Sequence, residues 1–125
     1  MTRCPCLSGL QYAECCEPIH AGSPSPTAER LMRSRYSAYA LGLPDYLVAS
    51  WHPSTRPENL ELDARLNWYR LDIVSRTRGA MLDTIGTVEF DAHYRLDGER
   101  GHQHENSRFV KESGHWYYVD GDSVS

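Results

Sequence analysis

Residues 84–96 carry the clearest secondary-structure signal in the chain and read Thr84-Ile85-Gly86-Thr87-Val88-Glu89-Phe90-Asp91-Ala92-His93-Tyr94-Arg95-Leu96. From Val88 onward, apolar and polar residues alternate, so one face of an extended segment is apolar and the other is polar. This period of two predicts a β-strand whose Val88, Phe90 and Ala92 pack against a core.

The segments on either side of this strand keep the two-residue period. Upstream, the apolar face carries Tyr69, Leu71 and Ile73, which places Trp68 on the opposite face. Downstream, Asp97-Gly98 opens a hairpin loop that is predicted to extend to Gly101. The four strands of the resulting meander are predicted over residues 66–78, 84–96, 102–110 and 115–120.

Helices are predicted before the strands. Apolar residues spaced three and four apart predict a helix over 27–41, capped by Thr27 or by Ser25. A second helix is predicted over 45–51, and Pro57 can start a short third one. Helices followed by an antiparallel meander indicate an α+β fold.

All four cysteines, Cys4, Cys6, Cys15 and Cys16, lie in the first sixteen residues. A disulfide framework would spread its bridges over the fold, whereas this cluster can enclose one ion. Four thiolates in a closed tetrahedral shell are typical of structural Zn²⁺, since a catalytic Zn²⁺ keeps one position for water. Two alternatives stay open: four reduced cysteines without an ion, and His20 as a ligand in place of Cys16.

The composition restricts the class of partner and the compartment. The chain has 125 residues, with 17 acidic residues against 13 basic ones and a net charge of −4. This acidic balance argues against nucleic-acid binding and against binding to anionic membranes. Neither a secretory leader nor an apolar run of membrane-spanning length is visible, so we expect a cytoplasmic location in which thiols stay reduced.

The cysteine segment resembles the SEC-C zinc motif, which also forms the tail of the bacterial preprotein translocase ATPase. The resemblance rests on the spacing Cys-x-Cys-x8-Cys-Cys and on the Ser8-Gly9-x-x-Tyr12 core. It implies that Cys4, Cys6, Cys15 and Cys16 bind Zn²⁺. In the translocase a Lys-rich stretch of the motif docks an acidic chaperone. Here residues 1–20 hold one base against two acids, so that partner does not carry over.

The rest of the chain resembles the YchJ-like family of small bacterial proteins. The segments that carry this resemblance are residues 33–39, 51–53, 86–90, 104–109 and 116–121. The family implies a nuclear-transport-factor-2-like cone, in which a curved sheet wraps helices around a pocket, and it brings no established activity. Together the two resemblances predict a SEC-C-like zinc-binding motif over 1–22 and a nuclear transport factor 2-like domain over 26–125.

Arg35 is the most informative residue of this domain, because it lies within the apolar arc of the first helix. A guanidinium that enters a core needs a carboxylate partner, and Glu89 and Glu105 are the candidates. The alternative is that Arg35 extends to water from the edge of the apolar stripe. Neighbouring strand residues face opposite sides, so only one of His104 and Glu105 can enter a pocket. The predicted pocket residues are Arg35, His52, Trp68, Glu89, His104, Glu105 and Arg108.

Two hypotheses for function follow. Because no phosphate-binding loop, nucleophile elbow or catalytic Cys/His signature is visible, the first is a non-catalytic zinc-binding accessory or adaptor protein that recognises a protein or peptide. The second is a small-molecule-binding or enzymatic cone, similar to a hydratase, isomerase or cyclase, in which zinc is structural. An enclosed cavity with converging polar groups would favour the second, and a filled cone with an exposed aromatic patch beside the zinc motif would favour the first.

Overall fold

The computed structural model describes residues 2–124, in which short helices precede a four-stranded antiparallel sheet. A 3-10 turn at Tyr12–Glu14 lies within the cysteine segment. The helices are α1 (Cys16–His20), α2 (Ala28–Leu41) and α3 (Pro44–Ala49). The strands are β1 (Leu66–Arg78), β2 (Ile85–Leu96), β3 (Glu99–Glu112) and β4 (His115–Ser123).

The sheet is the predicted meander, with the strand order β1-β2-β3-β4. Val88, Phe90 and Ala92 of β2 are buried against the helices, as the alternation of apolar and polar residues predicts. The α+β fold class is therefore confirmed. The last two strands are longer than the sequence signal indicates, because ladder pairing continues through polar residues as far as Ser123, which pairs with Glu105.

The turn between β2 and β3 is tighter than the predicted loop. Asp97 and Gly98 both have positive φ, at 51° and 85°, and Leu96 pairs directly with Glu99. Such a two-residue turn matches the twist of the flanking strands. Strand β3 therefore begins at Glu99 rather than at His102.

Strand β1 departs from the predicted alternation through a bulge. The register with β2 shifts between Trp68 and Arg70, so Tyr69 is an extra residue on this strand. Because of this extra residue, the strand residues before the bulge face the opposite side of the sheet from the one that strict alternation predicts. Trp68 consequently packs against the core on the same side as Leu71, whereas Tyr69 is exposed. The prediction that Trp68 lies opposite Leu71 is wrong for this reason.

Helix α2 supplies most of the contact between the helices and the sheet. Its N-cap is Thr27, whose side chain accepts a hydrogen bond from the Arg30 backbone N–H at 3.1 Å. Leu31, Met32 and Tyr36 are buried in the same cluster as Val88, Phe90, Phe109 and Trp116. The predicted helix over 27–41 is thus confirmed, and of the two proposed caps the structure has Thr27.

The predicted helix at Pro57 is absent. Between α3 and β1, residues 52–65 form turns and chain without regular secondary structure. Leu60 and Leu62 instead line a cavity between the sheet and the helices and are partly buried there. These leucines reach the cavity without helix formation, which the leucine spacing alone could not show.

The N-terminus of α2 meets the β1–β2 hairpin at two glycines. The Ala28 N–H donates to the Gly79 carbonyl at 2.9 Å. A Cβ added to Gly86 would lie 2.6 Å from the Gly79 Cα and 3.3 Å from the Ala28 Cβ. Glycine is therefore needed at 86 for this close approach.

Candidate metal centre and cone cavity

The four cysteine side chains converge at one point. Their sulfurs all lie within 4.8 Å of one another, and all four residues are buried as free thiols. The Cys6 and Cys15 sulfurs are 3.6 Å apart, and those of Cys15 and Cys16 are 3.9 Å apart. A tetrahedral ion with sulfur ligands at ~2.3 Å has edges of about 3.8 Å, so this donor set fits one ion of that kind.

Local turns of the backbone bring the first pair of cysteines to the second. The Leu7 N–H donates to the Cys4 carbonyl at 3.2 Å, and the Cys4 N–H donates to the Leu10 carbonyl at 2.9 Å. These two bonds fold residues 4–10 back on themselves, with Leu7 at a φ of 63° and Gly9 at 91°. Residues 2–20, called the knuckle below, thus form a compact loop followed by α1.

Helix α2 presents donors to the cysteine cluster. Arg30 donates from Nη1 to the Cys15 sulfur at 3.1 Å and from Nη2 to the Cys15 carbonyl at 3.2 Å. The Ser37 hydroxyl donates to the Cys16 sulfur at 3.3 Å and lies 3.4 Å from the Cys4 sulfur. Positive and neutral donors around thiolates stabilise their negative charge and orient the ligands.

Arg33 connects α2 to the knuckle backbone through a hydrogen bond. Its Nη1 donates to the Cys6 carbonyl at 2.7 Å, and its Nε donates to Glu29 at 3.0 Å. Arg76 of β1 also pairs with Glu29. The knuckle, α2 and β1 are therefore joined by one chain of charged hydrogen bonds.

Without an ion, Cys6 and Cys16 affect each other's ionisation in opposite directions. A hydrogen bond from Cys16 lowers the pKa of Cys6, and the same hydrogen bond raises the pKa of Cys16. Burial raises the pKa of Cys4. One thiolate is thus stabilised at the expense of its neighbours, and a bound cation is what would favour ionisation of all four.

His20 is engaged away from the cysteine cluster. Its Nε2 donates to the Ser34 carbonyl at 2.8 Å, and its Nδ1 lies 2.7 Å from the Tyr12 hydroxyl. Burial lowers the pKa of His20, so the neutral ring is favoured. Both ring nitrogens have partners, and Cys16 occupies the position in the cluster that the alternative gave to His20.

The cone contains a cavity of about 430 Å³ between the sheet and the helices. Its walls are mostly apolar and aromatic, and its charged groups are Arg35, Glu61, Asp63 and Glu105. The lining residues are Met32, Arg35, Tyr36, Tyr39, Trp51, Leu60, Glu61, Leu62, Asp63, Leu66, Trp68, Phe90, Ala92, Gln103, Glu105, Ser107 and Tyr118.

Arg35 is buried in the wall of this cavity with only 4% of its surface exposed. Its Nη1 donates to the Leu47 carbonyl at 2.8 Å and to the Ser50 hydroxyl at 2.7 Å. Its guanidinium carbon lies 5.1 Å from the centre of the Trp51 ring and 4.5 Å from that of Tyr118. The expected carboxylate partner is not there, because no ion pair within residues 2–124 includes Arg35. The alternative that Arg35 reaches water is also excluded by its burial.

Of the predicted pocket residues, the structure brings Arg35, Trp68 and Glu105 together around the cavity. Glu105 points inward from β3 beside Gln103 and Ser107, and burial raises its pKa.

The other four predicted pocket residues lie outside the cavity, which corrects the prediction for them. Glu89 and His104 pair at 2.6 Å on the opposite face of the sheet from Phe90 and Glu105. Arg108 binds Asp120 and Asp122 near the end of β4. His52 pairs with Glu112 at 3.0 Å. For the strand residues the reason is alternation, since the neighbours of inward residues face outward.

The donors that surround the cysteine cluster were missed by the sequence reasoning. Arg30, Arg33 and Ser37 recur at intervals of three and four on α2, so they share one helix face. A polar stripe on a helix that is otherwise buried is the signal that could have identified them. It could not have shown that this stripe faces the cysteines.

No helix within residues 2–124 has both the length and the apolar character of a membrane span.

Comparisons with known proteins agree with this geometry. Residues 27–121 match the model of the YchJ middle NTF2-like domain, and residues 2–18 match the SEC-C motif. A UPF0225 protein of Chromobacterium violaceum is 50% identical over 123 residues, covering 94% of this chain and 90% of that protein. Another, from Corynebacterium glutamicum, is 49% identical over 121 residues, covering 96% of each.

Two solved structures share the whole arrangement. The solution structure of a SEC-C motif containing protein from Rhodopseudomonas palustris superposes with a TM-score of 0.85, at 34% identity over 100% of both chains. The crystal structure of a SEC-C motif containing protein from Psychrobacter arcticus gives a TM-score of 0.77 at 30% identity, over 98% of this chain and 82% of that one. With its SEC-C motif and its nuclear-transport-factor-2-like domain, the chain belongs to the YchJ-like family, whose relatives in many bacteria are called UPF0225 proteins.

Proposed function

We propose that this protein binds a small organic molecule inside the cone and that a structural Zn²⁺ holds the knuckle against α2. The observation that carries the proposal is the cavity of about 430 Å³ with the buried Arg35 in its wall. Cavities of this size, with apolar walls and a few fixed polar groups, are typical of small-molecule sites. The reduced thiols also fit our proposal of a cytoplasmic location.

The choice of Zn²⁺ is supported by the donor set. Four cysteine sulfurs fill the tetrahedral shell of zinc and leave no position for water, which is the arrangement of a structural site. Thiolates disfavour Mg²⁺ and Ca²⁺, which prefer oxygen ligands. The knuckle has few apolar side chains of its own, so metal binding supplies much of its folding energy.

Elemental analysis of the purified chain tests the metal. We expect about one zinc per chain, and we expect Cys6→Ser to lose it. Leu7→Ser is the matched control, because Leu7 is an exposed neighbour within the same loop. Iron in place of zinc, or four titratable thiols with no metal, would contradict this part of the proposal.

Filling the cavity tests the binding function. Ala92 is a buried lining residue of β2, so Ala92→Leu adds volume inside the cavity. Native mass spectrometry of the protein purified from its own cell should detect a bound small molecule that Ala92→Leu excludes. Thr87→Leu, on the other face of β2, should retain it. A wild-type protein that carries no ligand and shows no thermal shift with any member of a metabolite library would refute the function.

A second candidate function is that of an adaptor for a protein or peptide, and one observation favours it. Leu7 and Leu10 of the knuckle are about half exposed, at 54% and 47%. Exposed leucines that lie close together can contact a partner protein. If a partner binds this surface, a protein should copurify with the chain in a fixed ratio. The double variant Leu7→Ser/Leu10→Ser should lose that protein, whereas Ala92→Leu should retain it.

A further inference from the structure

We infer that the ligand of the cone cavity is a monocarboxylic acid with an apolar body, and that its carboxylate pairs with Arg35. This inference rests on the proposed function, because it specifies the class of molecule that the cavity binds.

Within residues 2–124, the charge of Arg35 has no carboxylate counterion. Its side chain is almost fully buried, and no carboxylate lies within ion-pair distance among residues 2–124. The rings of Trp51 and Tyr118 compensate the charge only in part. A buried cation without an anion is unfavourable, so an anionic ligand gains by completing the pair.

The guanidinium is also held in one orientation. Both hydrogens of Nη1 are directed to the Leu47 carbonyl and the Ser50 hydroxyl, and Ser50 is itself fixed by donating to the Tyr46 carbonyl at 2.9 Å. Held in this way, the planar group needs little ordering when a carboxylate binds it. Planar carboxylates match the fork of N–H groups that a guanidinium presents.

Glu105 does not neutralise Arg35, although both line the cavity. No ion pair within the described residues includes Glu105, and burial raises its pKa. Because burial disfavours its charged form, Glu105 opposes a nearby anion less than an exposed carboxylate would. The interior of the cavity therefore presents the positive charge of Arg35 and a carboxyl group whose ionised form is disfavoured.

The remaining lining limits the ligand to one negative charge. Phe90, Trp68 and Leu66 offer apolar surface for the body of the molecule. Glu61 and Asp63 also line the cavity and are exposed to solvent, and of these two Asp63 is paired with Arg65. Carboxylates at the exposed edge repel polyanions such as nucleotide phosphates, whereas a monocarboxylate can pass and place its apolar part against the aromatic walls.

Tryptophan fluorescence of the zinc-loaded full chain tests the inference, because Trp51 and Trp68 both line the cavity. The probes are phenylacetate and 3-phenylpropanoate, each titrated beside its own primary amide, which has the same shape without the charge. We expect each acid to bind at least ~10-fold more tightly than its amide, the ratio that one added charge-assisted contact gives.

Two variants test whether Arg35 causes the preference for the acid over the amide. Arg35→Gln should reduce the ratio of acid to amide affinity to near one. Arg95→Gln should leave it unchanged, because Arg95 is an exposed arginine stacked on Tyr69. Circular dichroism checks that Arg35→Gln is folded, and if it is not, the acid-to-amide ratio of the wild-type protein alone decides the question.

The outcomes separate the inference from the proposed function. Equal affinity for acid and amide would overturn the carboxylate assignment while the binding function stands. If neither acids nor amides bind and the native protein carries no ligand, both are overturned. A preference for the acid that persists in folded Arg35→Gln would overturn the role of Arg35.

Discussion

The knuckle and the cone cavity differ in whether their buried polar groups have partners within the protein. In the knuckle, each of the four sulfurs has a polar neighbour, either another thiol or a donor from Ser8, Arg30 or Ser37. In the cavity, Arg35 and Glu105 have no ionic partner among the described residues. The first donor set would be completed by an ion, whereas the second lacks an ionic partner for Arg35 among residues 2–124.

Removing the ion should produce the largest effect, and only in the knuckle. Structural zinc contributes ~10 kcal/mol or more to the folding of small zinc modules, and residues 2–20 have little core to replace it. We expect a strong chelator to abolish the dispersed amide resonances of residues 2–20 in a two-dimensional NMR spectrum. The resonances of β2 and β3 should persist, because Val88, Phe90 and Phe109 form the core of the sheet.

Adding one equivalent of Zn²⁺ back is the control for that experiment. Dispersion of the knuckle resonances should return, whereas Mg²⁺ should have no effect. Loss of the β2 and β3 resonances on chelation would contradict the separation of the two regions.

Truncating the core of the cone should produce the next largest effect. Phe109 is 1% exposed and packs against Tyr118 with ring centres 5.9 Å apart. We expect Phe109→Ala to reduce the free energy of unfolding by about 3–5 kcal/mol, measured by urea denaturation. Val74→Ala, at a residue 53% exposed on β1, should change it by less than about 0.5 kcal/mol. Equal effects of the two variants would show that the cone is not held by this core.

Loosening the contact between α2 and the cysteine cluster should have a moderate effect on metal affinity. Arg30→Gln removes the charged donor to the Cys15 sulfur while the four thiols remain. Loss of such a partner of a ligand typically costs ~10-fold in affinity. Competition with a chromophoric chelator measures this, and Arg95→Gln on the outer face of the sheet is the control. An unchanged zinc affinity would mean that Arg30 serves only to pack the helix.

The smallest expected effect concerns the pH dependence of the cone. Burial raises the pKa of Glu105 above that of a free glutamate, so between the two values the folded chain holds a proton that the unfolded chain releases. The free energy of unfolding therefore falls as the pH rises through this window. Glu105→Gln should remove this slope and make the ligand-free protein slightly more stable at neutral pH, as thermal unfolding at pH 4 to 8 would measure.

Glu99→Gln is the matched variant for that series, because Glu99 is exposed at the start of the same strand. It should retain the wild-type slope. If Glu105→Gln also retains it, the carboxyl group is not responsible for the pH dependence.

The parts of the fold that the sequence predicts well are those decided by local pattern. The spacing of Cys4, Cys6, Cys15 and Cys16 predicts one cluster because the intervening loop is short, and the sulfurs do converge. The alternation of apolar and polar residues in β2 predicts which face of the strand is buried, because it too is a local pattern.

The features of the fold that the sequence could not predict depend on contacts between distant segments. The bulge at Tyr69 follows from pairing with β2, and it decides which face Trp68 occupies. The lack of a carboxylate beside Arg35 depends on how α2, α3 and β4 meet. No local pattern in the chain carries that information. The outward positions of Glu89, His104 and Arg108, in contrast, follow from strand alternation once their inward neighbours Phe90, Glu105 and Ser107 are known.

Helix α2 borders both sites. Arg30 and Ser37 touch the cysteine cluster from one side of the helix, while Arg35 and Tyr39 line the cavity from the other. Any coupling between the two sites through this shared helix must be thermodynamically reciprocal. If zinc changes the affinity for the proposed cone ligand by some factor, that ligand changes the affinity for zinc by the same factor.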